Sequence, residues 1–206
     1  MMLNVGQRKK LYALLARLFA YPDRQLLRRW EEESAVAAAL LPQLPAPPTE
    51  LRELEIAYTD AFINRLGGAP ALPYGSVYLE PDGQLMGESS LQAGQAYRNE
   101  GLALEGSGEP PDYLPTELEF LYYLVEQEEQ ALGRRDVAAA RHAGERQAAF
   151  CRDSLHPWAG EFCRRLAADA DIHPLYRWGG ELLESFCRME KEWLEKMYPG
   201  PITADS

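Results

Sequence analysis

The sequence is poor in the residues that build disulfide frameworks and metal centres: 206 residues hold three cysteines and three histidines. Cys151, Cys163 and Cys187 include no C-x-x-C pair, which argues against a zinc knuckle or a disulfide framework and makes a reducing cytosol the expected compartment. On their helical segments Cys151 and Cys163 read as small buried hydrophobes. His142, His156 and His173 form neither H-x-x-x-H nor H-E-x-x-H, so surface or helix-end positions are expected and no metal. There is no G-x-S-x-G, no phosphate-binding loop and no dinucleotide fingerprint, and Gly106-x-Gly108 lies in a loop with no strand before it. Nothing forms a catalytic set; no cofactor is implied and the protein reads as non-enzymatic. Basic residues are also short, 21 against 32 acidic for a net charge of −11. That balance argues against nucleic acid or an anionic membrane and favours a basic partner. No apolar run approaches the roughly 20 residues of a membrane span. The stretch from Lys9 to Ala20 lacks a cleavage site and is broken by Arg17, so it reads as an amphipathic helix with Leu11, Leu14, Leu15, Leu18 and Phe19 on one side rather than as a leader.

What is present is helical periodicity. Asp23 caps a second helix running to about Leu41, and Thr49 caps a third to about Leu66, with Leu51, Leu54, Tyr58, Phe62 and Ile63 inward. Gly67-Gly68 opens an irregular stretch to Glu88 in which Glu80-Pro-Asp-Gly83 reads as a type I turn. Ser89 or Ser90 caps a short helix to Glu100. After Gly101–Gly108, two prolines hold the chain extended and Asp112 stands at the N-cap position of a central helix. Pro115 lies in its first turn, Leu114, Leu118, Leu121 and Val125 on one side, Glu119, Glu126 and Glu129 on the other. Glu126, Glu128 and Glu129 read as a solvated acidic face. Asp136 caps the next helix to about Leu155, His156 begins another to near Asp171, and Pro174 opens the last.

No segment alternates as a strand does. The expected fold is all-α: one domain over 1–198 of about eight to ten helices, with a long irregular loop at 67–88, a candidate subdivision near 101–111 and a loose tail at 199–206. A loop of that length is functional or disordered, and its aromatic and aliphatic content argues against disorder. Together with Glu109–Phe120 it could line an aromatic, acidic groove. In the alternative reading Tyr74, Tyr78 and Phe120 are core aromatics and Asp112 is only a cap; spacing does not choose between the two.

These stretches closely resemble the TorD/DmsD family of cytoplasmic redox-enzyme maturation chaperones, in the wider group that includes NarJ-like proteins. The resemblance rests on Pro73-Tyr-Gly-Ser-Val-Tyr-Leu79, Leu85-Met-Gly-Glu88, Glu109-Pro-Pro-Asp-Tyr113 with Glu117-Leu-Glu-Phe120, and the Phe150–Phe162 segment with Leu155, His156 and Trp158. It implies an all-helical fold and binding of a molybdoenzyme catalytic subunit precursor, through the apo-enzyme, its twin-arginine signal peptide, or both. It also implies a peptide-binding region comprising Tyr74, Ser76, Tyr78, Glu88, Glu109, Pro111, Asp112, Tyr113, Glu117 and Phe120. There Asp112, with Glu88, Glu109 or Glu117, is expected to meet the arginines, and Tyr74, Tyr78, Tyr113 and Phe120 the apolar residues. Members of the family often carry Glu at the position of Gly75 and His at that of Tyr113, and some form homodimers by exchanging helices. A NarJ-like chaperone of a cytoplasmic reductase without signal-peptide recognition and a small-ligand or nucleotide-binding helical protein are the competing readings.

Overall fold

A computed structural model describes residues 3–45, 50–103 and 108–199 of the chain. Helix α1 (Val5–Phe19) starts where Asn4 and Gln7 exchange side-chain and backbone hydrogen bonds of 2.9 and 3.0 Å, a reciprocal cap. Its leucines at 11, 14, 15 and 18 are fully buried, and the helix packs along α6 (Leu114–Gly133). α2 (Arg24–Ser34) is capped by Asp23, whose carboxylate accepts from the amides of Gln25 and Leu26 at 2.8 and 2.9 Å, and it ends in a 3-10 turn over Ala35–Ala39. α3 (Leu51–Tyr58) passes into a π turn, Thr59–Ile63; the expected cap Thr49 lies outside the described residues. α4 (Ser76–Leu79) is a single turn, and α5 (Glu88–Asn99) leads towards α6. α7 (Val137–Phe150), capped by Asp136, runs through a π turn at Cys151–Leu155 into α8 (His156–Ala168), and α9 (Pro174–Met197) closes the bundle. The described residues thus contain eight helices longer than one turn and no strand, the expected all-α fold. No helix among them is long and apolar enough to cross a membrane, and no group of side chains among them could hold a metal ion. Gly106 and the tail beyond Pro199 lie outside them.

α6 runs between α1 and α7, while α9 packs on α8 and crosses α1. Contact at that crossing depends on Gly179, since a Cβ there would lie 2.6 Å from Leu18 Cδ2. Phe19, Phe62, Phe162 and Tyr176 meet edge-on or stacked at the centre of the core, with centroids 5.0–6.1 Å apart. The π turn corrects one expectation. Its wider ring adds a residue to the turn, so Phe62 stays buried while Ile63 and Leu66 face solvent, and the helix ends at Ile63 rather than Leu66.

A second correction concerns Glu128, which does not belong to a solvated face. It is buried, and Arg8 Nη1 donates to it at 3.0 Å. The same guanidinium donates to both Glu190 oxygens at 2.8 and 3.0 Å through Nε and to Gln147 at 2.6 Å, and lies 4.0 Å from the Trp193 ring. Tyr12 adds a hydrogen bond to Glu190 at 2.9 Å. Burial opposes the charge on Arg8, but Glu190 and Glu128 outweigh it and raise the pKa further. One cation, two carboxylates and the Gln147 amide so tie α1, α6, α7 and α9 together, and either carboxylate would be stranded without the guanidinium. Arg8→Ala is expected to destabilise the fold by about 3–5 kcal/mol, read as a fall in the urea midpoint; an unchanged midpoint would show the cluster to be dispensable.

Candidate functional site

The site begins where the chain after Gly67-Gly68 returns to the entry of α6. Residues 73–75 run antiparallel to 112–114: Leu114 N donates to Pro73 O and Gly75 N to Asp112 O, both at 2.9 Å, in a bridge that pairs Tyr74 with Tyr113. Backbone pairing here leaves the Asp112 side chain directed away from the α6 amides. Its Oδ2 accepts from the Ser76 amide at 2.6 Å, in the first turn of α4, and its Oδ1 accepts from Ser90 Oγ, in the first turn of α5. Asp112 is therefore not the N-cap of α6. Tyr113 occupies that position without a side-chain bond, and Asp112, 1% exposed, joins two other helix starts from beneath.

The start of α5 is also corrected. Gly87 holds the cap position, and neither Ser89 nor Ser90 caps; instead Glu80 Oε1 accepts from Ser89 N and Oγ, both at 2.8 Å. The Glu80–Gly83 turn closes with a 3.2 Å hydrogen bond, but Asp82 has φ +62°, which type I excludes at that place. Met86 follows with φ +64°. Two non-glycine residues in the left-handed region within five positions mark a loop held in shape by its surroundings.

The aromatic groups fall into two pairs. Tyr74 stacks on Tyr113 with centroids 5.3 Å apart and donates to Glu109 Oε2 at 2.8 Å; burial and that carboxylate raise its pKa. Tyr113, buried, shares a 2.7 Å hydrogen bond with Tyr58 OH and reaches Phe19 O at 3.3 Å. Tyr78 stacks on fully buried Trp158 at 5.4 Å, donates to Leu72 O at 2.9 Å and carries the Arg165 guanidinium 4.5 Å from its ring centroid. A Cβ at Gly75 would lie 3.0 Å from Trp158 Nε1, so a residue with a side chain fits there only if that tryptophan gives way.

Of the ten residues expected at the site, Ser76, Asp112, Tyr113, Glu117 and Phe120 are buried, Tyr74, Tyr78, Glu109 and Pro111 half-buried, and Glu88 exposed. Phe120 is a core aromatic, packed on Tyr97 and Phe150 at 4.8 and 4.7 Å; it floors a separate groove of about 670 Å³ between α5 and α7. Pro111 O accepts from Tyr97 OH at 2.7 Å. The residues that periodicity did not single out are Leu79, Leu85, Met86 and Leu91, exposed by 39, 47, 68 and 63% in the segment between α4 and α5 and at the start of α5. Their signal was three large apolar side chains, Leu79, Leu85 and Met86, in a stretch with no helical period, with a fourth, Leu91, in the first turn of the helix that follows.

Glu117, 1% exposed, has no partner for Oε2 among the described residues. Burial first and Asp112 second push its pKa well above 4.5. A raised carboxyl pKa makes the folded state retain a proton that the unfolded chain releases above about 4.3, so its contribution to stability is complete below that pH and declines as pH rises towards the folded pKa. Glu117→Gln is accordingly expected to raise Tm at pH 7 and to have little effect at pH 4, by calorimetry. An equal effect at both pH values would mean that the carboxyl is not protonated in the fold.

A model of the nitrate reductase delta subunit family matches residues 23–164. A TorD chaperone from Vibrio vulnificus is 30% identical over 146 residues, which cover 69% of this chain and 64% of that protein, so the match spans less than two thirds of the relative. The selenate reductase assembly chaperone of Thauera selenatis is 32% identical over 179 residues, 84% of each chain. A crystal structure of a candidate redox enzyme maturation protein from Archaeoglobus fulgidus shares the fold, with a TM-score of 0.54 at 23% identity, over 95% of this chain and 96% of that one. The family model covers more than half of the chain, and the chain therefore belongs to the nitrate reductase delta subunit family, alongside relatives named as a TorD chaperone and a selenate reductase assembly chaperone.

Proposed function

We propose that the protein is a cytoplasmic chaperone for assembly of a molybdopterin-dependent oxidoreductase. It binds the apo-enzyme, the twin-arginine signal peptide of its catalytic subunit, or both, until the cofactor is inserted. The observation that carries this reading is the segment that Asp112 and Glu80 hold in place: Leu79, Leu85, Met86 and Leu91 face solvent beside exposed Asp82 and Glu88. A leader of two arginines followed by an apolar segment is matched by carboxylates next to exposed aliphatic and aromatic side chains. Methionine and leucine suit such a surface because they adapt to differing sequences. In this reading Glu88 and Glu109 meet the guanidinium groups. Tyr74, Tyr78, Met86 and the leucines meet the apolar residues, and Ser76, Pro111, Asp112, Tyr113, Glu117 and Phe120 form the frame behind them. The burial of Asp112 and of Glu117 supports counting them with the frame rather than with the contact surface. Release must follow cofactor insertion, which suits micromolar binding, about −8 kcal/mol.

The description of the matching family, a nitrate reductase subunit, favours one second reading: a chaperone of a cytoplasmic reductase subunit that carries no leader. Affinity purification from a host respiring anaerobically separates the two. Mass spectrometry is expected to find a molybdoenzyme catalytic subunit still carrying its leader; the subunit without a leader would favour the second reading, and recovery of neither would overturn both. For the surface itself, Met86→Asp and Glu88→Lys, both at exposed positions, are each expected to weaken binding of a synthetic twin-arginine leader about tenfold or more, a loss of ~1.4 kcal/mol. Unchanged affinity in both folded variants, by calorimetric titration, would remove this segment from the site.

A further inference from the structure

Helix α5 carries two surfaces in succession. Its first turn holds Glu88 and Leu91 beside the exposed segment that follows α4, and its later turns form one wall of the groove of about 670 Å³ that Phe120 floors. Glu88, Leu91, Gln92, Gln95 and Asn99 are all exposed. They recur at helical spacing, so they make a single stripe along the helix, which rises about 16 Å from Glu88 to Asn99. One continuous surface thus leads from the acidic, aliphatic segment into the groove.

The opposite wall comes from α7 and the π turn after it, where His142, Arg146, Ala149 and Asp153 follow the same spacing. Between the walls lie Phe120 of α6 and Phe150, with ring centroids 4.7 Å apart. Two alanines make the room: Ala96 on α5 and Ala149 on α7 are both half-buried and line facing walls. Glu100, just past the end of α5, pairs with Arg146 across the groove. The start of α5 lies at the other end, towards the π turn.

Charge discriminates among occupants. Both carboxylates of the lining are paired with a guanidinium, Glu100 with Arg146 and Asp153 with Arg152, the latter at 2.8 and 2.9 Å. Most of the remaining rim is uncharged, from the amides of Gln92, Gln95 and Asn99, with His142 beside them. Such a lining has little to offer a cation or an anion, and its aromatic floor favours an apolar occupant. The carboxylates able to take cations stand at the other end of the stripe, at Glu88 and at Asp82 in the segment before it. Acids first and an uncharged apolar trough after them is the order that complements cationic residues followed by an apolar run.

We propose that the groove between α5 and α7 receives the apolar segment of the leader, which runs along α5 from Glu88 towards the Glu100–Arg146 pair. The proposal rests on the leader reading above and gives the two halves of the leader separate places. Met86 and Leu91 meet its first apolar residues, and Ala96, Phe120, Ala149 and Phe150 meet those that follow.

The test uses the full-length protein and three synthetic leaders: the complete one, one with its arginines replaced by glutamine, and one with its apolar residues replaced by serine. Calorimetric titration is expected to show each altered leader binding the unaltered chain about tenfold or more weakly than the complete one. Ala149→Trp, which fills the groove from α7, is expected to weaken the complete leader by about tenfold or more while changing the affinity for the serine leader by less than about twofold. Glu88→Lys is expected to do the converse, its effect vanishing with the glutamine leader. As a readout independent of that tryptophan, photoreactive benzoylphenylalanine in place of exposed Gln95 is expected to attach to the leader within its apolar segment. Binding of the complete leader that Ala149→Trp leaves intact, an equal loss for the complete and serine leaders, or attachment at position 95 only beside the arginines would each overturn the groove assignment and leave the leader reading standing. Failure of the unaltered chain to bind the complete leader would overturn both.

Discussion

The Asp112 carboxylate is the contact on which the arrangement of the irregular stretch depends. One oxygen takes the first free amide of α4 and the other takes the Ser90 hydroxyl in the first turn of α5, while the same residue's carbonyl closes the bridge to Gly75. Charge-assisted bonds of this kind are stronger than neutral ones, and burial excludes the water that would compete for them. With the first turns of α4 and α5 fixed, the segment between them accommodates two left-handed residues and leaves its leucines and methionine outside. The stretch that looks like a loop in the sequence is thereby a shaped surface.

Behind it lies a layered support. Trp158 backs Tyr78 and Gly75, Tyr58 and Tyr113 connect the α6 entry to the end of α1, and Glu117 stands in the buried space beneath Asp112. Burial, and the neighbouring Asp112, push the Glu117 carboxyl pKa up and so favour its neutral form in this place. At the far end of the bundle the Arg8 cluster performs the matching task for α1, α6, α7 and α9. Both polar centres draw their partners from segments far apart in the chain, so each helps to select one arrangement among the many that amphipathic helices permit.

α8 begins with His156, beside a cavity that also meets α9, and two residues later presents Trp158 to Gly75 and Tyr78. Both features depend on the π turn before it, because the extra residue in that turn sets the rotation at which α8 starts. Its counterpart at Thr59–Ile63 similarly sets which side of the helix after α3 faces the core.

Helix starts were legible from the sequence where the chemistry is local. Asp23 and Asp136 each accept from amides two or three residues away, and Pro174 opens α9 where proline loses no bond. The apolar stripe of α6, at Leu114, Leu118, Leu121 and Val125, is likewise a property of its own period. Within the family motif, Tyr74, Ser76, Glu109, Asp112 and Tyr113 come together in the fold. What the sequence could not decide was the direction of each carboxylate. Asp112 has a local use as a cap and a distant one 36 and 22 residues away, and the distant one prevails because backbone pairing turns its side chain inward. Glu128 has the composition of a surface residue and becomes buried only because Arg8, 120 residues earlier, reaches it. Periodicity reports which face of an element is apolar; which polar group is buried on that face depends on whether a partner of opposite charge arrives from elsewhere in the chain, and only the tertiary structure supplies that partner.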